Sequence, residues 1–295
     1  MFQDFIIVIE IIVIELIVGD FSNNYIILIF NYKRLSWNMK LNYKLQGIGQ
    51  PIVFLHGVFG SLDNLNMLAK DLVSDFQTIQ VDLRNHGQSP WSDQINYPAM
   101  AQDVADLCHE LQLKDIILIG HSMGGKVAMQ LSQVIPQLIQ KIVVIDIAPV
   151  KYSSSPNAII LRTLMYCLNN QITDRKQIMV VMQEAGLSEA TCLFLLKSYK
   201  NQHWLFNLPT INDQYANICD WQTIPSASPC LKPILFIRGG NSVYLADKYQ
   251  DTIYAQFPNA KIVTIEGAGH NVHAEKTQQV LQLLHDWLNC SSDDV

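Results

Sequence analysis

From residue 50 onward, short continuous apolar runs alternate with longer stretches of helical period. The runs are IVFL (52–55), TIQVDL (78–83), IILIG (116–120), IVVID (142–146), ILFIR (234–238) and KIVTIE (261–266). They are rich in β-branched residues and do not alternate apolar with polar, the pattern of strands buried on both faces. Segments between them, such as 100–111 and 126–134, repeat their apolar positions at helical spacing. Strands alternating with helices predict an α/β fold: a mostly parallel central sheet flanked by helices. MKLNYKLQG, from Met39, predicts a first strand leading into it.

One interval departs from this rhythm. Between Asp146 and Ile234 no buried strand is evident, and AIILRTLMYCLNN and TCLFLLKSYK are apolar on a helical period. The interval is too long for a loop in a compact domain. Residues 152–229 are therefore expected to form a helical insertion, with 39–151 and 230–295 making the core. An insertion at the C-terminal edge of the strands is placed to act as a lid over a site built there; the alternative is an ordinary packed subdomain.

The first 38 residues stand apart. FIIVIEIIVIELIV (5–18) and YIILIF (25–30) are strongly apolar. The longer run is short for a membrane span and carries Glu10 and Glu15. A secretory signal would need a basic start and a small-residue cleavage site, and neither is present. The expectation is that 1–38 is an apolar extension outside the native protein, with translation beginning at Met39. A membrane partner is expected only if the extension is genuine.

Composition narrows the function classes. Hydrophobic residues make up 49% and charged residues 16% of the chain, which excludes a disordered protein. The net charge is −6 and no long basic run occurs, so nucleic acid is not an expected partner. The cysteines are Cys108, Cys167, Cys192, Cys219, Cys230 and Cys290, with no C-x-x-C pair and no histidine at metal-ligand spacing. They are expected to be reduced and mostly buried, in keeping with a cytoplasmic protein. Neither metal nor organic cofactor is implied.

The candidate chemistry sits at strand ends. IILI is followed by Gly120-His121-Ser122-Met123-Gly124 and then KVAMQLSQ, a strand, a sharp turn and a helix. G-x-S-x-G alone is a weak signal; in this context it marks a serine presented above a sheet as a nucleophile. Acyl transfer also needs two N–H donors for the developing oxyanion. Met123 follows the nucleophile and supplies one. The other is expected from the loop HGVFG after IVFL, with Val58 the first choice and Phe59 the alternative. His56 reads as a structural loop residue, since it comes too early for the usual order of serine, acid and histidine.

KIVTIE runs into Gly267-Ala268-Gly269-His270, where small residues let a loop carry an imidazole to the serine. His270 is the expected base; His273, three residues on, is the alternative. The acid is less obvious. The loop after ILFIR reads Gly239-Gly240-Asn241-Ser242-Val243 and holds no carboxylate, while Asp247 beyond it reads as a helix-start residue. Asp146 closes the IVVID run, at the strand end where sites of open α/β sheets lie. The acid is assigned to Asp146, against a structural role there, and Asp247 remains the competing position.

HGVFGSLDNL, VDLRNHGQSP, GHSMGGK, DIAPV, GGNS and GAGHNVHAEK occur in that order. Together they resemble the bacterial YbfF-type esterases, a branch of the α/β-hydrolases, over about 39–288. The resemblance implies an α/β-hydrolase fold with a helical lid and a Ser122, Asp146, His270 triad. It further implies an esterase that also acts on acyl-CoA thioesters, with a small-molecule acyl ester or thioester as substrate. In that setting Asp82, Arg84 and Gly87 are expected to brace the site. Asn271 departs from the aromatic expected after the histidine and is expected to alter the polarity of the pocket. A carbon–carbon bond hydrolase or lyase, or a ligand-binding protein without catalysis, are the competing functions on the same fold.

Overall fold

The computed structural model describes residues 12–15, 31–34, 39–153, 157–221 and 228–289. The chain divides into two compact units, Met1–Asn38 and Met39–Val295. In the first, strands Ile12–Glu15 and Asn31–Arg34 pair antiparallel. The rest of that apolar segment, with the expectations attached to it, lies outside the described residues, as does Cys290.

The second unit is built on a seven-stranded sheet. Its strands are β1 (Tyr43–Gln46), β2 (Pro51–Leu55), β3 (Gln77–Val81), β4 (Ile116–His121), β5 (Ile139–Ile145), β6 (Ile234–Gly239) and β7 (Ala260–Ile265). Their order is β7-β6-β5-β4-β2-β3-β1. Only β1 runs antiparallel, against β3; the other pairings are parallel. Each apolar run therefore became a strand, and the sheet is the mostly parallel one expected.

Successive residues of the central strands feed two separate cores. Val53, Leu55, Leu118, Ile142, Val144 and Phe236 face one side. Ile52, Phe54, Ile119, Val143, Ile145 and Leu235 face the other. All are essentially inaccessible to water. This is why the runs are continuously apolar: both faces of the pleat are covered. Helices α1 (Asn66–Leu72) and α10 (Thr277–Asn289) cover the second face. Helices α2 (Tyr97–Glu110), α3 (Met123–Val134) and α9 (Gln250–Gln256) contribute to the first.

Between β5 and β6 lie helices α4 (Asn157–Asn169), α5 (Arg175–Glu184), α6 (Glu189–Lys197), α7 (Leu208–Asp213) and α8 (Tyr215–Cys219). A two-residue ladder, Tyr199–Lys200 with His203–Trp204, interrupts them. The sequence predicted no strand there, because two residues are too few to carry a periodicity. Polar contacts fasten these helices to the core. Ser198 Oγ donates to the Phe59 carbonyl at 2.8 Å. The Asn207 N–H donates to the Asn85 carbonyl at 2.9 Å. The buried Lys126 ammonium, on α3, reaches the carbonyls of Val150 and Asp220, each at 2.8 Å.

Among the described residues, Cys108, Cys167, Cys192 and Cys230 are buried, Cys219 is half-buried, and all five are free thiols. No described helix is long and apolar enough to cross a membrane.

Candidate active site

Ser122 links β4 to α3 with φ 53° and ψ −118°. A positive φ in a non-glycine residue is uncommon and persists only where the surroundings enforce it. Here the crossing of strand and helix does so. A Cβ on Gly120 would lie 2.3 Å from the Gly124 carbonyl oxygen, and one on Gly124 would lie 2.1 Å from that of Leu55. Glycine at both positions lets the helix start pack against β2 and β4, and the turn holds the serine at the C-terminal edge of the sheet.

The hydroxyl of Ser122 is 2.9 Å from His270 Nε2. His270 Nδ1 is 2.7 Å from Asp146 Oδ2. A carboxylate only accepts, so Nδ1 carries the proton, and Nε2 is left to accept from the serine. Asp146 is fully buried. It too has a positive φ, 53°, which turns its side chain off the end of β5. The Gly239 N–H donates to Oδ1 at 2.9 Å, and the Ser242 hydroxyl donates to Oδ2. The carboxylate thus accepts three hydrogen bonds.

Ser242 was not singled out by sequence reasoning beyond the observation that its loop lacks a carboxylate. The structure places its hydroxyl in that loop as a donor to the carboxylate from β5. Asp247 lies on an exposed turn and pairs with Arg238.

The His270 loop is held at several points. Its ring lies 4.1 Å from that of Tyr244, at 32°. His121 Nε2 donates to the His270 carbonyl at 2.9 Å, and the Gly269 N–H donates to Glu275 Oε2 at 2.7 Å. His121 thus joins the Ser122 turn to the His270 loop. His273 packs on His121, 4.4 Å between ring centroids, and is not the imidazole at Ser122. Burial lowers the pKa of His273 to about 4 and that of His121 well below the usual range; both are neutral near pH 7.

The loop after β2 supplies the third side. Phe59, at φ 65°, directs its N–H to His86 Nε2 at 3.3 Å. Among the described residues the N–H groups of Val58 and Met123 have no protein acceptor, and both residues line the space at Ser122. His56 donates from Nδ1 to the Gly57 carbonyl at 2.8 Å and accepts the Leu83 N–H on Nε2 at 3.1 Å. Burial lowers its pKa to about 4, so it is a neutral brace. Asp82 accepts from the N–H of Leu62 and of Gln88, at 2.7 and 2.9 Å. Arg84 makes two bonds to buried Asp103, at 2.6 and 2.7 Å. These residues brace the loops without reaching Ser122.

Two cavities meet at Ser122. The larger, about 320 Å³, is lined by Val58, His270, Asn271, Leu187, Thr191 and Phe194 among others. The smaller, about 20 Å³, includes Val58, Met123, Tyr97, Ile147, Tyr152 and Ile218 in its wall. Asn271 therefore lines the larger one, where its departure from an aromatic was expected to matter.

A serine on a strained turn after one strand, a buried acid after the next and a histidine after the last, on a mostly parallel sheet, is the plan of an α/β hydrolase. The alpha/beta hydrolase fold family matches residues 50–180. The chain is 44% identical over 256 residues to Esterase YbfF of Escherichia coli, covering 85% of this chain and all of that one. It is 36% identical to the sn-1-specific diacylglycerol lipase ABHD11 of Mus musculus, covering 80% of each chain. The solved structure of a marine microorganism esterase superposes with a TM-score of 0.78 at 34% identity, over 84% of this chain and 99% of that one. The chain belongs to the α/β-hydrolase family and, within it, to the YbfF-type esterases.

Proposed function

We propose that the protein hydrolyses carboxylic esters through an acyl-enzyme on Ser122, with His270 as general base and acid and Asp146 as the orienting carboxylate. The observation that carries this reading is the unbroken chain of hydrogen bonds, 2.9 Å from Ser122 Oγ to His270 Nε2 and 2.7 Å from His270 Nδ1 to Asp146. Similarity to an esterase and to a lipase supports an ester as the bond cleaved.

His270 takes the Ser122 proton as Oγ attacks the acyl carbon. The carbonyl oxygen becomes an oxyanion between the N–H groups of Val58 and Met123. His270, now an imidazolium stabilised by Asp146, returns the proton to the leaving oxygen or sulfur, and the carbonyl reforms as an ester of Ser122. Water, deprotonated by the same imidazole, attacks this ester; the acid departs and Ser122 recovers its proton. Thioesters of coenzyme A fit the same sequence of steps. Helices α4–α8, within the 152–229 insertion, act as the lid, since Leu187, Thr191 and Phe194 stand over the larger cavity.

The test is kcat/KM over matched acyl esters and acyl-CoA thioesters, with Ser122→Ala as control. Loss of about 10³-fold or more in the control, along the whole series, is the expected result. Turnover that survives Ser122→Ala would refute the reading.

A further inference from the structure

The loop that carries the Val58 N–H is closed by a turn from Gly57 to Gly60. The Gly60 N–H donates to the Gly57 carbonyl at 3.1 Å. Phe59, third in the turn, has a φ of 65°, where a turn of this kind usually takes glycine. We infer that Ser198, from the 152–229 insertion, is a positioning residue for the oxyanion hole: it holds this turn so that the Val58 N–H meets the reacting carbonyl. The insertion is then a working part of the site. This rests on the reading of Ser122 as nucleophile and of Val58 as a donor.

The connection runs through two peptide groups. The Ser198 hydroxyl donates to the Phe59 carbonyl at 2.8 Å. That carbonyl shares a planar trans peptide with the Gly60 N–H, which points the opposite way and donates to the Gly57 carbonyl. The Gly57 carbonyl in turn shares its peptide with the Val58 N–H, again on the opposite side. His56 Nδ1 donates to the same Gly57 carbonyl at 2.8 Å. A Cβ on Gly57 would lie 3.3 Å from that of Ser122, so this peptide stands against the nucleophile. Bonds in such a chain polarise one another, and this chain ends on the N–H offered to the oxyanion.

A phenylalanine at positive φ persists only where its surroundings enforce it. Here the Phe59 N–H is taken by His86 Nε2 at 3.3 Å, its carbonyl by Ser198, and its ring lies 5.3 Å from that of Phe206. Ser198 and Phe206 both belong to the insertion, on either side of the ladder that pairs Tyr199 with Trp204, and Phe206 is bridged to His86. Ser198, Phe59, His86 and Phe206 are all buried. Glycine at position 59 would adopt the turn freely but would give the insertion no ring to pack on. The turn therefore depends on the insertion being seated. Ser198 directly follows α6, whose Thr191 and Phe194 line the larger cavity, so the helix beside the substrate is joined to the element that sets the donor.

Positioning and mere fastening leave different marks. The Val58 N–H binds the substrate oxygen most strongly once that oxygen carries charge, so misdirecting it costs transition-state binding and spares the ground state. Cutting a bond that only fastened the insertion would lower stability or raise KM without that split. Asn217 provides the comparison: its Nδ2, on α8, donates to the Ile95 carbonyl at 3.1 Å and joins the insertion to the core without bonding to the Phe59 turn.

The experiment sets kinetics on p-nitrophenyl acetate beside inhibition by an alkyl trifluoromethyl ketone. The carbonyl carbon of the ketone bonds Ser122 Oγ, its oxygen becomes the oxyanion, and the serine proton passes to His270. In Ser198→Ala, kcat falls about tenfold, less than the about 10²–10³ for outright loss of a donor. KM stays within about twofold, and the inhibition constant rises in step with the fall in kcat/KM. Asn217→Ala leaves all three within about twofold. Should Ser198→Ala fail to fold, Ser198→Cys, which keeps the volume and donates only weakly, takes its place under the same criteria. A folded Ser198 variant with unchanged kcat and inhibition overturns the inference, as does a loss confined to KM or one matched by Asn217→Ala; with cleavage still dependent on Ser122, the ester reading stands. No Ser122-dependent cleavage or inhibition in the unaltered protein overturns both.

Discussion

Replacing Asp146 by Asn changes one atom and little volume, yet the hydrogen bonds around it dictate a large effect. Oδ1 accepts from the Gly239 N–H, a backbone donor that cannot turn away, while Oδ2 faces His270 Nδ1 and the Ser242 hydroxyl. An asparagine must keep its oxygen toward Gly239 and so points its NH2 at His270. That group donates to Nδ1, which drives the imidazole proton to Nε2, the atom that must accept from Ser122. The variant also loses the negative charge that stabilises the imidazolium. A wrong tautomer together with a lost charge costs about 10⁴ in kcat, or about 5.5 kcal/mol of barrier. KM should move little, because Asp146 is fully buried and does not line either cavity described at Ser122. Steady-state kinetics on an acetate ester, beside a thermal melt to establish folding, measures this. Asp247→Asn is the companion variant: it removes only an exposed pairing with Arg238 and should retain turnover within about twofold. A folded Asp146→Asn protein within about tenfold of the unaltered enzyme, paired with a dead Asp247→Asn, would refute the reasoning.

Ser242→Ala deletes one donor to the same carboxylate; with about 1.5–3 kcal/mol at stake in a bond to a charged group, kcat should fall about 10–100-fold. Partial recovery in Ser242→Thr would separate this from a packing defect. Acid should destabilise the fold: burial holds His56 and His273 at a pKa of about 4 and His86 at about 3. Between these values and 6.5 the unfolded chain binds protons that the folded one does not, so stability falls as pH drops below 6.5, by about 2 kcal/mol for each of the three at pH 5. The urea midpoint at pH 7 and pH 5 reads this, and a flat profile would contradict it. Arg84→Met leaves the Asp103 carboxylate buried without its partner and should cost about 3–5 kcal/mol in a denaturant titration; a loss under about 1 kcal/mol would show the pair to be dispensable.

The strands were legible because both faces of the sheet are covered. Burial on two sides forces runs such as IVFL and IILI, which no other element of the fold requires. Ser122 was legible for a similar reason: Gly120 and Gly124 are imposed by backbone clearances of about 2 Å, and steric demands of that kind leave a mark in sequence. Asp146 was read from a carboxylate ending an apolar run, together with the absence of one after β6. The donor that fills the empty position, Ser242, was not legible. Its role depends on β5 and β6 lying side by side in the sheet, 96 residues apart between Asp146 and Ser242, and a serine in a glycine-rich loop looks the same with or without that neighbour. His121 was hidden for the same reason, since its partner is a backbone carbonyl 149 positions away. The His86 ring that takes the Phe59 N–H, which supports proposing Val58 over Phe59 as the donor, was not legible either. The unequal cavities were beyond the sequence altogether, being volumes enclosed by segments from across the chain.

The central claim is that Ser122 is the nucleophile that carries the acyl group. Its most direct test is labelling of the protein with a fluorophosphonate, followed by peptide mapping and by the residual rate on an acetate ester. The account predicts one adduct per chain, on the peptide containing Ser122, with activity lost in proportion to labelling and no adduct in Ser122→Ala. An adduct on another residue, or a fully labelled protein that still cleaves the ester, would contradict it.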